Sequence, residues 1–339
     1  MRLTLATALL APLPALAEPP MVVTDIAPVH SLVSQVMAGV AEPTLLLDGS
    51  ADPHSVALRP SQARVLEQAQ LVVWVGEELE PWLARALEGL SRAENIALLD
   101  LPSTTLRDFD GSPAHLDDGL HEDHDDHEAE DHADEDHHDH DDHAEEDHGH
   151  DDHAIDEGDH DHAHSHEGTD PHAWLSPDNA RAWLAALADE LAARDPENAE
   201  TYRANAEAAI VEVTQMDAEI TAKLAPYEGT EIVTFHDAFG YFTTAYGIEV
   251  LGSLRAGDAS APSAAALSDL RGMVAEHGVT CAFSEPAADE GLLRTIEQDV
   301  GLRSGVLDAT GATLTPGPEL YGDLMTGLAT TIATCLSGD

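Results

Sequence analysis

From Met21 onward, short β-branched runs alternate with longer stretches in which apolar residues recur at helical spacing. Residues 21–24 read as a strand; behind a proline-containing turn, Leu32, Val33, Val36 and Val40 lie on one helical face. Residues 45–47 make a second buried run, 48–54 a polar turn-rich loop, 60–68 a helix opened by proline and 71–75 a third strand. A helix begins at Glu80-Pro81-Trp82-Leu83, and 96–99 reads as a further strand. Beyond position 170, Ser176-Pro177-Asp178 is a helix start, with Trp183, Leu184, Leu187 and Leu191 along one face. Asp195-Pro196-Glu197 repeats that signal before an unusually long helical stretch reaching about Leu224. The strand–helix rhythm then resumes: strands at 231–235, 248–251, 280–283 and 305–307, helices at 264–277 and 321–335. Strands that alternate with helices predict an α/β fold with mainly parallel sheets. The expected architecture is two lobes, each a sheet flanked by helices, joined by one long rigid helix.

The N-terminus carries a different pattern. Arg2, an apolar run over 3–16 and Ala15-Leu16-Ala17 predict a signal peptide over 1–17 and a periplasmic product beginning near Glu18. No cysteine stands at that junction to take a lipid, and no later run is long enough to span a bilayer. The domains are then 18–195 for the first lobe, 196–225 for the linking helix and 226–339 for the second lobe.

Composition changes this picture at one place. Residues 115–166 hold 16 of the 21 histidines and 24 of the 66 acidic residues, with no lysine or arginine. Repeated imidazoles among carboxylates suit a transition metal, and so polar and repulsive a stretch predicts a disordered insertion in the first lobe. The formal net charge of −52 excludes nucleic acid and anionic lipid as partners. Cys281 and Cys335 are the two cysteines; in an oxidising compartment they read as a disulfide, with a thiolate metal pair as the rival.

Five histidines lie outside the tract: His30, His54, His172, His236 and His277. In open α/β sheets, ligands gather beyond the carboxyl ends of strands. His54 follows the strand at 45–47, His236 directly follows the strand at 231–235, and Asp308 directly follows the strand at 305–307. His172 stands where the chain re-enters the fold. Three imidazoles and a carboxylate satisfy tetrahedral zinc, whereas manganese would recruit more oxygen ligands. His30 reads as a supporting residue and His277 as a helix-end cation. Asp237 is a candidate to orient an imidazole, and Trp174 to wall the site.

Gly49-Ser50-Ala51-Asp52-Pro53-His54, Leu58-Arg59-Pro60-Ser61, Asp170-Pro171-His172-Ala173-Trp174-Leu175-Ser176-Pro177, Phe235-His236-Asp237-Ala238-Phe239-Gly240-Tyr241-Phe242 and Phe283-Ser284-Glu285-Pro286 carry a resemblance. In this order they resemble the cluster A-I metal-binding proteins of ABC transporters, over nearly the whole chain after the signal. The resemblance implies a two-lobed fold hinged by a rigid helix, Zn²⁺ in the cleft, and delivery to the membrane permease of a zinc ABC transporter. It assigns His54, His172 and His236 as ligands, with Asp308 or water in the fourth position. It also matches the tract to a His-rich loop that holds additional, weaker zinc, and Cys281 with Cys335 to a C-terminal disulfide. The expected protein is a monomer with no catalytic activity, supplied by periplasmic zinc chaperones. The alternatives are a periplasmic zinc buffer or metallochaperone built around the tract, a manganese-type member of the family, and a zinc hydrolase using a three-histidine site.

Overall fold

Each half of the chain folds its β-branched runs into a four-stranded sheet. The computed structural model describes residues 18–49, 51–109, 168–255, 264–286 and 301–338; the expected signal peptide and the acidic tract lie outside them. The first sheet contains β1 (Val22–Thr24), β2 (Thr44–Leu45), β3 (Leu71–Trp74) and β4 (Glu94–Ala97) in the order β2-β1-β3-β4. The second contains β5 (Glu231–His236), β6 (Glu249–Arg255), β7 (Cys281–Ser284) and β8 (Arg303–Val306) in the order β6-β5-β7-β8. Every pairing within the two sheets is parallel. Parallel strands need crossover connections, and these cover the sheet faces.

Side-chain alternation sorts the strands into layers. Leu71 and Val73 of β3 join the large core, while Val72 and Trp74 face a smaller cluster with Val23, Leu66 and Leu83. In the second sheet Ile232, Cys281 and Phe283 face the large core, and Val233, Phe235 and Ala282 face a third cluster. The large core therefore runs continuously beneath both sheets.

Helices fill the space between and around the sheets. They are α1 (Ala27–Val36), α2 (Pro60–Gln68), α3 (Pro81–Leu90), α4 (Pro177–Arg194), α5 (Ala199–Leu224), α6 (Gly240–Ala245), α7 (Ala264–His277) and α8 (Leu320–Ser337). Proline sits in the first turn of α1, α2, α3 and α4, where its missing N–H would have had no helical partner. Ser176 caps α4 by accepting the Asn179 N–H. The 26 residues of α5 make a rod of about 39 Å. It packs on α4, α1 and α8.

The long helix starts later than its sequence signal suggests. Asp195 is drawn into a turn instead, its Oδ2 accepting from the Asn198 amide at 2.7 Å and the Tyr202 hydroxyl at 2.8 Å. The helix then begins at Ala199. The cysteines form the disulfide Cys281–Cys335, tying β7 to α8. The thiolate-pair alternative is thereby set aside.

Candidate metal centre

Two segments that end or follow strands and a third that leads into α4 converge on one point. β2 stops at Leu45, but Leu46 and Leu47 donate their N–H groups to Thr24 and Asp25, carrying the pairing on towards the loop that holds His54. Trp82, in the first turn of α3, donates its indole N–H to the Pro53 carbonyl at 2.7 Å and fixes the backbone immediately before His54. Gly49 makes that loop's close approach to the other lobe possible: a Cβ there would lie 2.9 Å from the Ala312 Cα. His172 heads the short 3-10 turn Ala173–Leu175 that leads into α4. His236 is the last residue of β5.

The ligand atoms of His54, His172 and His236 all lie within 4.8 Å of one another. Zinc–nitrogen bonds of about 2.0–2.1 Å in a tetrahedron put the nitrogens about 3.3 Å apart, so little closure separates this arrangement from a bound ion. Ring centroids stand 5.1 to 5.7 Å apart. His172 is 2% exposed and the His236 side chain 12%. His54 is half-buried and forms the outward side of the group.

Carboxylates behind two of the rings decide which nitrogen faces the centre. Asp170, itself fully buried, accepts from Nδ1 of His172 at 2.8 Å and from the His172 backbone N–H at 3.0 Å. Glu285, just beyond β7, lies 3.2 Å from Nδ1 of His236. An imidazole that donates its Nδ1 proton to a carboxylate presents an unprotonated Nε2, the form that binds a metal. Carboxylates placed behind the imidazoles also favour a divalent cation electrostatically. Trp174 walls the site as expected, its ring 5.2 Å from that of His172 and its N–H given to the Ala309 carbonyl at 2.8 Å.

Asp308 stands apart from the three histidines. Its carboxylate accepts four bonds from its own loop: the N–H groups of Thr310, Ala312 and Thr313 and the Thr313 hydroxyl, at 2.9 to 3.2 Å. Within the described residues, the group gathered for a metal has three members. His30 is engaged elsewhere, with the Pro43 carbonyl 3.2 Å from Nε2, and burial lowers its pKa. His277 meets Glu231 at 3.1 Å. The orienting carboxylates Asp170 and Glu285 were missed as such. Both stand inside motifs read from the sequence, but their role depends on which ring they reach after folding.

Two parallel α/β sheets over one core, with imidazoles from both lobes converging between them, define a cleft-type metal-binding protein. Comparison with known proteins narrows the class. The family described as zinc-uptake complex component A, periplasmic (ZnuA) matches residues 22–335, and the chain belongs to this family. It is 47% identical to the high-affinity zinc uptake system protein ZnuA of Paracoccus denitrificans (strain Pd 1222), over 99% of this chain and 98% of the relative. The corresponding protein of Brucella suis biovar 1 (strain 1330) is 38% identical over 93% of this chain and 91% of its own length. A crystal structure of ZnuA superposes with a TM-score of 0.68 at 20% identity, covering 93% of this chain and 99% of that one, and establishes the shared fold. The family is the periplasmic solute-binding component of a zinc transporter. None of the described helices is long and apolar enough to cross a membrane.

Proposed function

We propose that His54, His172 and His236 hold Zn²⁺ in the cleft, and that the chain carries this ion across the periplasm to the membrane permease of a zinc ABC transporter. Zinc is cargo here, and catalysis forms no part of the reading. The observation that carries it is the convergence of three imidazoles from both lobes, two of them aimed by carboxylates on Nδ1. Four neutral or anionic donors complete a zinc site, and water fills the fourth position in this reading. Asp308 would have to surrender four hydrogen bonds to take that position, so it serves as an alternate ligand rather than the resting one.

Export by the 1–17 signal, a monomeric state and supply by periplasmic zinc chaperones complete the proposal. In this proposal the tract over 115–166, rich in imidazoles and carboxylates, gathers further zinc more weakly than the cleft does.

Zinc titration of the protein lacking 115–166 tests this. One tight site should remain, and His54→Ala, His172→Ala and His236→Ala should each abolish it, while Asp308→Ala weakens it less. Loss of the tight site on deleting the tract, or its survival in His172→Ala, would overturn the assignment.

A further inference from the structure

The two chain segments that flank the acidic tract meet beside the metal centre. Asp108 and Thr169 form an antiparallel bridge, and the Phe109 N–H donates to the Gly168 carbonyl at 3.1 Å. The next rung is unusual. The Asp170 N–H donates to the Arg107 carbonyl at 2.9 Å, but the reciprocal bond is replaced by a side chain from the other lobe. Tyr241, in the first turn of α6, accepts the Arg107 N–H at 3.0 Å and donates its hydroxyl to the Asp170 carbonyl at 3.2 Å. Tyr241 is 6% exposed, and burial pushes its phenol up to about 12, so the hydroxyl keeps its proton for that bond.

The side chains repeat the connection. Arg107 places Nη1 3.3 Å from Asp170 Oδ2, and the other oxygen of Asp170 holds the His172 ring. The same guanidinium lies flush against Gly240, four residues after His236. A Cβ at Gly240 would fall 1.3 Å from Arg107 Nη1 and 2.5 Å from Cζ, so no side chain fits there while Arg107 occupies this place. On the first lobe, the segment is pinned from behind: Asn179 of α4 pairs with both backbone groups of Thr105, and Trp183 donates to the Thr104 hydroxyl at 2.8 Å. An ion pair this buried, with one partner 18% exposed and the other sealed, is held by its hydrogen bonds as much as by charge.

We propose that Arg107, Gly240 and Tyr241 form an interlobe latch that positions His172, so that three residues outside the ligand set govern how long the cleft retains Zn²⁺. The latch acts through Asp170: its carboxylate takes the guanidinium on one oxygen and the ligand ring on the other. Movement of α6 relative to the first lobe is therefore transmitted to the ring. This rests on the reading that His54, His172 and His236 hold the ion.

The test uses the full-length protein loaded with less than one equivalent of zinc, which is then released to an excess of chelator. The Co²⁺ absorption spectrum of the same variants and urea unfolding of the metal-free protein are recorded alongside. Tyr241→Phe and Arg107→Ala should each release zinc roughly tenfold faster, the order of one or two hydrogen bonds. Arg107→Lys should restore part of the loss. Gly240→Ala should also speed release and alter the Co²⁺ spectrum. The double variant Gly240→Ala with Arg107→Ala should be no worse than Arg107→Ala, because the clash has gone. Wild-type release and an unchanged Co²⁺ spectrum in Tyr241→Phe and Arg107→Ala, with zinc lost in His172→Ala, would overturn the latch alone. Faster release that tracks only the metal-free unfolding midpoint, with an unaltered Co²⁺ spectrum, would also overturn it. Zinc retained in His172→Ala would overturn the site and the latch together.

Discussion

Replacing Asp25 by Asn should remove the dependence of stability on pH that one buried carboxyl contributes. Asp25 follows β1, is fully buried and accepts the Val75 N–H on Oδ2 at 2.6 Å. The Glu80 carboxyl at the head of α3 is equally buried beside it. Burial raises Asp25 from 3.8 to about 6, moderated by the Glu80 side chain and by backbone N–H groups. Burial and then the charge of Asp25 push Glu80 well above its ordinary value. A carboxyl whose folded pKa is raised stabilises the native state most when protonated in both states, below 3.8, and loses that contribution as pH climbs through about 6. Asn keeps the carbonyl that accepts from Val75 and offers an amide to Glu80, but it does not titrate. At 1.36 kcal/mol per pKa unit, the difference in unfolding free energy between Asp25→Asn and the wild type should shift in favour of the variant by about 2–3 kcal/mol between pH 4 and pH 7. Urea unfolding of the metal-free protein at several pH values measures this. A difference that stays flat across that range, or moves in favour of the wild type, would refute the argument that burial holds this carboxyl protonated.

Two further outcomes follow from contacts already described. Replacing Cys281 and Cys335 together by Ala opens a link across 54 positions, and the chain-entropy model puts the loss at about 4 kcal/mol, read by urea unfolding, with one cleft zinc still bound by the folded protein. A loss below about 1 kcal/mol would show that the core of β7 and α8 does not depend on the bridge. Trp82→Phe removes the bond that fixes the Pro53 carbonyl and should weaken zinc binding about three- to tenfold in chelator competition, the range of one hydrogen bond. Unchanged affinity would mean that the His54 loop is held by other contacts.

The order of strands and helices was legible because the signals are local. Buried runs of β-branched residues, proline in the first turn of four helices and a serine cap all act within a few residues of where they stand. His54 and His236 were legible because they lie at or beyond strand ends, where parallel sheets place their ligands, and His172 because it stands where the chain re-enters the fold inside a recognisable motif. Element boundaries were less so: Asp195-Pro196 carries a helix-start pattern, but Asp195 finds better partners in Asn198 and Tyr202, and the helix waits until Ala199. Asp308 shows the same limit at the site. Whether its carboxylate faces the three histidines or its own loop is settled by how residues 310–313 turn back, and no spacing rule encodes that turn. Glu285 meets a histidine 49 positions away, and Arg107 meets Asp170 across 63, so their roles exist only in the folded chain.

The two sheets repeat one strand order, β2-β1-β3-β4 in the first lobe and β6-β5-β7-β8 in the second. Strand for strand, β1 corresponds to β5 and β3 to β7, and in each lobe the crevice at their carboxyl ends is the natural seat for a ligand. In the second lobe that seat holds His236, with Glu285 behind its ring. In the first lobe the corresponding place holds Asp25 and Glu80, both sealed from solvent. One crevice of the pair has been turned into a plug. The first lobe's two histidines of the group come from other places, the loop beyond an outer strand for His54 and the entry to α4 for His172. The metal centre is asymmetric for this reason, although the scaffold beneath it repeats.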